Sequence, residues 1–223
     1  MKSTLFKDFD ERSQEVSRYF LFLKNLEQSS IRLGMGKKNK TIRDIDIELL
    51  KTLKATGFLL LYNLVESTMQ NEIQAIHDNI IEENNSFDNL RNELKNIIIK
   101  NFSKNKSAKD LAGKIKNISV DIVSEGLSSE KMFSGNVNNE IIKNLANSYG
   151  FSSATTTKTR DGTDLMIIKN HRNDLAHGSQ SFKEVGRNIT ADELLEIQKR
   201  VIFYLKEILL NIENCISNQK YLK

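Results

Sequence analysis

The sequence of 223 residues has no proline and only one cysteine, Cys215. Proline is the residue that most strongly interrupts a helix, so a chain without it is free to form long helices. A single cysteine excludes an intramolecular disulfide and is typical of proteins from a reducing compartment. Because Cys215 falls within an apolar helical pattern, we interpret it as a small buried hydrophobic residue.

Long apolar runs are lacking as well. The longest ones, residues 57–61 and 201–205, are much shorter than the roughly 20 apolar residues that span a bilayer. The amino terminus is polar and already contains an acid at Asp8, unlike a secretory signal peptide. We therefore expect a cytoplasmic protein with no membrane partner.

Positive and negative charges are nearly balanced, since the net charge is only +4. This small excess favours a nucleic-acid partner only weakly. Between Lys100 and Lys116, however, six lysines face a single acid, Asp110. One interpretation is a solvated, lysine-rich connection. The other is a stripe that follows an RNA backbone, where each neutralised phosphate adds salt-dependent affinity. The candidate RNA-binding residues are Lys104, Lys106 and Lys109 of this stripe, together with Lys37 and Lys38 of a separate basic loop.

Apolar residues recur at three- and four-residue steps along most of the chain, which predicts an all-α fold. A first helix is expected over about 3–33, where Gly34 and Gly36 end it. A second, very long helix is expected over about 44–83. Gly57 interrupts its side-chain pattern and indicates a close contact with another helix.

The middle of the chain is less regular. Residues 118–123 fit either a short strand or a helix, 138–149 fit a helix, and 155–159 fit an exposed hairpin or an irregular loop. We interpret the chain as a single helical domain, 1–223, with an insertion at about 104–163.

Two closing helices carry clear boundary signals. The first begins near Asp164 and ends at Gly178, since glycine is the usual residue after a helix end. The second begins at the capping box formed by Thr190 and Glu193 and continues with two apolar rows. One row suits a core and the other a partner surface, for which a homodimer is the simplest use.

Conventional catalytic and metal-binding motifs are missing. The three histidines and the single cysteine have no metal-ligand spacing, and the sequence has neither a glycine-rich phosphate loop after a strand nor a nucleophile elbow. We therefore expect neither a metal nor a cofactor. What remains is Arg172, followed five positions later by His177, immediately before Gly178.

An arginine and a histidine can suffice to cleave RNA, because RNA supplies its own nucleophile in the 2′-hydroxyl. Arg172 would stabilise the extra negative charge of a pentacoordinate transition state, and His177 would transfer protons. The simpler interpretation is that Arg172 is a surface residue or an ion-paired one, and that His177 caps a helix end. The spacing alone does not distinguish these two interpretations. Five residues along a helix place two side chains about 140° apart, so both cannot point at one phosphate from a regular helix.

The wider segment 165–178 resembles the HEPN superfamily. The hallmark of that superfamily is an arginine followed by four to six residues and a histidine, with a polar residue after the arginine, here Asn173. The chain is similar in particular to the prokaryotic MAE and RiboL-PSP-type HEPN proteins of conflict and defence systems, also at residues 61–66 and 135–137. The resemblance covers most of residues 44–215.

This resemblance implies a HEPN-type bundle of long helices, with an irregular insertion before the motif helix. It also implies a homodimer that brings two Arg/His pairs into one cleft, and metal-independent endoribonuclease activity. By motif match, Arg172 and His177 are catalytic and Asn173 orients the site. Glu66 either supports the site by orienting Arg172 or is a solvated glutamate. His171 is a supporting residue and a candidate phosphate contact.

In this interpretation the chain is the toxin or effector of a toxin–antitoxin or antiphage defence system. Its substrate is RNA, and its partner is a cognate antitoxin or another defence protein. Ser179 stands where some HEPN toxins carry a tyrosine that a nucleotidyltransferase modifies, so silencing by that route is not expected. The alternative is a non-catalytic HEPN module that binds RNA or protein.

Overall fold

Helices form nearly all of the regular structure in a computed structural model of the chain, which describes residues 4–36, 41–105, 118–127 and 133–223. Within these ranges the all-α prediction is confirmed, and the two short strands pair with each other in antiparallel fashion. None of the described helices has the length and apolarity needed to cross a membrane. The elements are α1 (Thr4–Glu27), β1 (Leu33–Met35), β2 (Thr41–Arg43), α2 (Ile47–Glu82), α3 (Asn92–Asn105), α4 (Ile118–Leu127), α5 (Asn139–Tyr149), α6 (Asp164–His177), α7 (Phe182–Arg187) and α8 (Ala191–Ser217).

Local capping signals place three of these helices where the sequence predicts them. At the start of α2, Asp46 Oδ1 accepts a hydrogen bond of 3.0 Å from the N–H of Leu49. At the start of α8, the N–H of Thr190 donates to Glu193 Oε2 at 2.8 Å, and the N–H of Glu193 donates to Thr190 Oγ1 at 3.2 Å. Gly178 ends α6 in the left-handed conformation, with φ at 70°. The predicted capping box and helix-ending glycine are therefore confirmed.

Left-handed residues end the other long helices of this proline-free chain. Ser29, Asn84 and Gln219 follow α1, α2 and α8 with φ values of 53°, 50° and 47°. After α1, the N–H of Ser30 donates to the carbonyl oxygen of Asn25 at 2.9 Å, as in a Schellman motif. The backbone therefore closes these helices without help from glycine or proline.

The predicted end of the first helix is wrong. α1 ends at Glu27, well before Gly34, which lies in β1 opposite Ile42. The residue that ends α1 is Ser29, and a left-handed serine is uncommon. The sequence therefore offers no glycine signal at the true helix end, and two nearby glycines gave a false one.

Helix α4 settles one open alternative, because residues 118–123 are helical and do not form a strand. The expected helix at 138–149 is confirmed as α5. Residues Thr157–Gly162 form a 3-10 turn in which Arg160 and Asp161 are left-handed, so the 155–159 stretch is irregular and is not a hairpin. These residues connect α5 to α6.

Helix α7 has no counterpart in the sequence-based expectations. It begins at a second capping box, in which the N–H of Ser181 donates to Glu184 Oε2 at 2.7 Å and the N–H of Glu184 donates to Ser181 Oγ at 3.2 Å. The spacing of serine and glutamate is visible in the sequence. The helix has only six residues, too few for an apolar periodicity to appear.

Two compact units make up the described chain. The first unit comprises Met1–Thr68, Gly135–Asn139 and Thr156–Leu205. The second comprises Met69–Ser134, Glu140–Thr155 and Lys206–Lys223. The first unit contains the whole Arg/His motif, so its packing determines the candidate site.

One carboxylate joins three helices of the first unit. Lys54 and Glu27 form a largely buried ion pair of 2.9 Å, and Glu27 Oε2 also accepts a hydrogen bond of 2.6 Å from the N–H of Ala191. A Cβ atom at Gly57 would lie 3.1 Å from the ring of Phe20, which confirms the close helix contact expected there. α1, α2 and the start of α8 are therefore fixed to one another.

A second ion pair fixes the start of the motif helix. Asp164 is 3% exposed and accepts two hydrogen bonds from Arg200 of α8, of 2.6 and 2.9 Å. Such a bidentate pair constrains orientation as well as distance. α7 lies directly on α2, since a Cβ atom at Gly186 would meet the carbonyl oxygen of Lys51 at 1.9 Å. The elements on both sides of the motif are thus held in place.

Buried polar groups organise the second unit. His77 Nε2 and the hydroxyl of Tyr149 lie 2.8 Å apart, and Tyr221 donates a hydrogen bond of 2.7 Å to Asn79 Oδ1. Burial lowers the pKa of His77 to about 4, so its ring is neutral at physiological pH. Cys215 is buried and its thiol faces the carbonyl oxygen of Tyr149, which confirms its interpretation as a core residue.

Glu72 is a carboxylic acid buried in the second unit, with 1% of its surface exposed. Burial, reinforced by the negative charge of Glu213, raises the pKa of Glu72 from 4.5 to about 8. The unfolded chain releases this proton near pH 4.5, whereas the folded protein retains it up to about pH 8. The folded state therefore loses stability as the pH rises between these two values.

Replacing Glu72 by glutamine should remove this loss, because an amide stays neutral at every pH. We expect the free energy of unfolding of Glu72→Gln, relative to the wild type, to rise by roughly 2–4 kcal/mol between about pH 5 and pH 8.5. Urea titrations at several pH values measure it. The control Glu82→Gln, at the exposed end of the same helix, should show no such rise. A difference that stays constant with pH would contradict the assignment.

Candidate active site

The predicted catalytic residues lie in the last two turns of α6. Ile168 and Leu175 bury one face of this helix, and Arg172 lies about 40° from Ile168 around the helix axis. His177 lies nine positions after Ile168, which places it about 180° away. Arg172 is accordingly half-buried and His177 is exposed. Because α6 stays helical through His177, the two side chains leave the helix on different sides.

The guanidinium of Arg172 is held by a ring and an amide. Its Cζ lies 5.1 Å from the centroid of the Tyr62 ring, within the range of a cation–π contact. Its Nη1 donates a hydrogen bond of 3.0 Å to Asn173 Oδ1. Among the described residues no carboxylate forms an ion pair with it. A guanidinium has five N–H donors, and within the described part of the chain most of these have no acceptor and can bind an anion.

Gly135 forms the backbone surface beneath this guanidinium. It is buried and left-handed, with φ at 80°. A Cβ atom at this position would lie 2.7 Å from Arg172 Nη2 and 2.8 Å from Nη1, closer than real Cβ contacts. The sequence pattern marks neither Gly135 nor Tyr62 as a site residue. Both lie in the two short stretches, 61–66 and 135–137, that carry part of the HEPN resemblance.

Glu66 contacts the neighbours of Arg172 and not Arg172 itself. Its Oε1 accepts hydrogen bonds from the N–H of Gly135 at 2.9 Å and from the hydroxyl of Tyr62 at 3.4 Å. The Tyr62 hydroxyl in turn accepts a hydrogen bond of 3.0 Å from the N–H of Val137. Burial, more than the nearby charge of Glu66, raises the pKa of Tyr62 to about 12, so the hydroxyl keeps its proton. Glu66 is thus connected to Arg172 only through Gly135 and Tyr62.

His171 faces α2. Its ring lies 4.4 Å from that of Phe58, measured between centroids, and its Nδ1 is buried without a hydrogen-bond partner in the described part of the chain. Burial lowers the pKa of His171, and the charge of Asp174 only partly opposes this. This shift disfavours the cationic form of the His171 ring, which is the form that a phosphate contact would favour.

The predicted RNA-binding lysines lie outside the structural description. Lys37, Lys38, Lys106 and Lys109 fall beyond the described residues, as does the side chain of Lys104 at the end of α3. The lysine stripe therefore stays a prediction. In the ranges that the structure covers, no group of three or more His, Cys, Asp or Glu side chains is arranged to hold a metal ion.

One comparison with known proteins covers nearly the whole chain. A family model described as "HEPN_MAE_28990:/-like HEPN" matches residues 1–221. A search of curated proteins and a search of solved structures found no match. The matched range contains the Arg/His motif, Tyr62, Glu66 and Gly135. The chain therefore belongs to the MAE_28990-like family of HEPN domains, as the resemblance of its sequence predicts.

Proposed function

We propose that the protein is a metal-independent endoribonuclease whose site combines Arg172 with His177. The observation that most supports this activity is the state of Arg172. Its guanidinium is held against Tyr62 and Asn173, has no carboxylate partner among the described residues, and keeps donors free for a phosphate. An exposed histidine follows on the same helix, within a HEPN domain.

The proposed reaction needs only the protein, the RNA and water. The 2′-hydroxyl oxygen attacks the adjacent phosphorus, and the bond from phosphorus to the 5′-oxygen breaks. The products are a 2′,3′-cyclic phosphate and a 5′-hydroxyl. Arg172 donates hydrogen bonds to the non-bridging oxygens, whose charge grows in the transition state. His177 accepts the proton of the 2′-hydroxyl or donates one to the leaving 5′-oxygen, and water carries out the other of these two proton transfers.

A homodimer is part of the proposal, because Arg172 and His177 diverge on a helix that does not unwind. Large apolar side chains also remain exposed on two helices of the first unit. Ile167 of α6 is 43% exposed and Phe203 of α8 is 49% exposed. A second copy that covers such residues can bring its own His177 to Arg172. The proposed setting is a toxin or effector of a toxin–antitoxin or antiphage defence system, restrained by an antitoxin or another defence protein.

Cleavage of single-stranded RNA in the presence of EDTA tests the activity. We expect the wild type to cleave, and Arg172→Ala and His177→Ala to lose about 10²- to 10⁴-fold in rate. Mass spectrometry of the products should show the cyclic phosphate. The controls Arg187→Ala and Ser179→Ala change exposed residues near the motif and should cleave normally.

Two results would remove the ribonuclease proposal. One is equal cleavage by the wild type and His177→Ala, and the other is loss of cleavage on addition of EDTA alone. A protein that retains RNA at low salt, releases it steeply as salt rises and never cleaves it would instead be the non-catalytic HEPN module.

Mixing the two inactive variants tests the dimer. If each site takes Arg172 from one chain and His177 from the other, a mixed dimer of Arg172→Ala and His177→Ala contains one intact site. After random reassociation we expect roughly a quarter of the wild-type activity. Each variant refolded alone provides the baseline. A mixture no more active than its components contradicts a site shared between chains.

A further inference from the structure

Tyr62 and Gly135 lie against Arg172 and Glu66 contacts both of them, although none of the three belongs to the Arg/His motif. Tyr62 and Glu66 lie four residues apart on α2, so their side chains project from the same face of that helix. Both side chains accept hydrogen bonds from backbone N–H groups, Glu66 from Gly135 and Tyr62 from Val137. α2 therefore fixes two alternate amides of the 135–137 backbone.

This arrangement gives the buried amides their hydrogen-bond partners. Gly135 and Val137 are both buried, and a buried N–H without a partner is costly. Removal of either acceptor would let the segment move. Gly135 lies in direct contact with the guanidinium of Arg172, so any such movement changes the surface on which the arginine rests.

An arginine is usually oriented by an ion pair, but here Glu66 Oε1 is occupied by an N–H of Gly135 and the hydroxyl of Tyr62. The guanidinium rests instead on the Tyr62 ring and on a glycine that leaves room for it. Its position is thus set by that ring, that glycine and the Asn173 amide, and among the described residues no carboxylate takes up its donors. A catalytic cation that must bind a phosphate benefits from both properties.

We propose that Tyr62, Glu66 and Gly135 form an arginine latch that positions Arg172 for the reaction. In the latch Glu66 acts as a hydrogen-bond acceptor for the backbone, and neither its charge nor its proton takes part in the chemistry. Gly135 is required because a side chain there would displace the guanidinium. The latch rests on the proposed ribonuclease function, since it serves the arginine of that site.

Gly135→Ala tests the steric part, with Gly36→Ala as its matched control. Gly36 is left-handed too, with φ at 84°, but a Cβ atom there meets nothing within 4 Å. Both variants therefore introduce similar backbone strain, and only one pushes on Arg172. For RNA cleavage we expect kcat of Gly135→Ala to fall about 30- to 100-fold, with KM within about threefold, and Gly36→Ala to stay within about twofold. Normal kcat in Gly135→Ala, or an equal loss in Gly36→Ala, overturns this part.

Two substitutions of Glu66 separate an acceptor from a charge. Glutamine keeps a side-chain oxygen for the N–H of Gly135, whereas alanine does not. We expect Glu66→Gln to keep kcat within about threefold and to leave its pH profile unchanged, and Glu66→Ala to lose about tenfold or more. If Glu66→Gln loses as much as Glu66→Ala, the carboxylate itself is needed and the latch is the wrong explanation.

Solvent exchange of the Arg172 side chain tests the latch without any activity. In NMR spectra of the RNA-free protein, the Nε–H resonance is assigned by its disappearance in Arg172→Lys. We expect similar exchange rates in the wild type, Glu66→Gln and Gly36→Ala, and rates at least about fivefold faster in Glu66→Ala and Gly135→Ala. Equal rates in all variants overturn the latch. A wild type that fails to cleave RNA but shows this pattern overturns the proposed function and leaves the latch standing.

Discussion

The ion pair between Asp164 and Arg200 is the constraint on which the candidate site depends. Asp164 is the first residue of α6, so the two hydrogen bonds of this pair fix both where the motif helix starts and how it is rotated. The hydrogen bonds that Arg200 donates to Asp164 raise the pKa of Arg200, and the carboxylate also lies favourably at a helix amino terminus. Because every later residue follows at about 100° per position, this rotation turns Arg172 towards α2 and His177 towards solvent. Removal of either partner would leave an uncompensated charge, a change that typically costs several kcal/mol.

Arg172 keeps its positive charge unpaired with Glu66, because that nearby carboxylate accepts its hydrogen bonds from Gly135 and Tyr62. A half-buried guanidinium loses part of its hydration, and an ion pair is the common compensation. The Tyr62 ring and the Asn173 amide supply part of that compensation here, while Glu66 bonds to the backbone of Gly135. Within the described part of the chain, the groups that stabilise the cation do not neutralise it. A phosphate that approaches it has no described carboxylate to displace, which favours a group that must respond to charge developing in a transition state.

The sequence predicts those features that depend on neighbouring residues and misses those that depend on distant ones. α6 and α8 are placed correctly because a helix-ending glycine and a capping box are local signals. The end of α1 is misplaced because Ser29 adopts a left-handed conformation that its residue type does not announce. The same division holds at the site. Arg172, Asn173 and His177 share one helix and form a readable motif, whereas Tyr62 and Gly135 are brought to Arg172 only by folding. Glu66 is an intermediate case, since one of its two interpretations placed it near Arg172 but neither named its actual partners.

The rotation of α6 about its own axis also explains why the proposed chemistry requires two chains. The rotation that buries Ile168 and Leu175 is the one that presses Arg172 against Tyr62, so Arg172 cannot turn outward without exposing the apolar face. His177 lies on the opposite side for the same reason and cannot turn inward. Unwinding the end of the helix would bring them together, but Gly178 and the capping box at Ser181 fix that end in place. Convergence within one chain thus conflicts with the packing of the motif helix. In the proposed dimer the conflict disappears, because a solvent-facing His177 is the group that a neighbouring copy can receive.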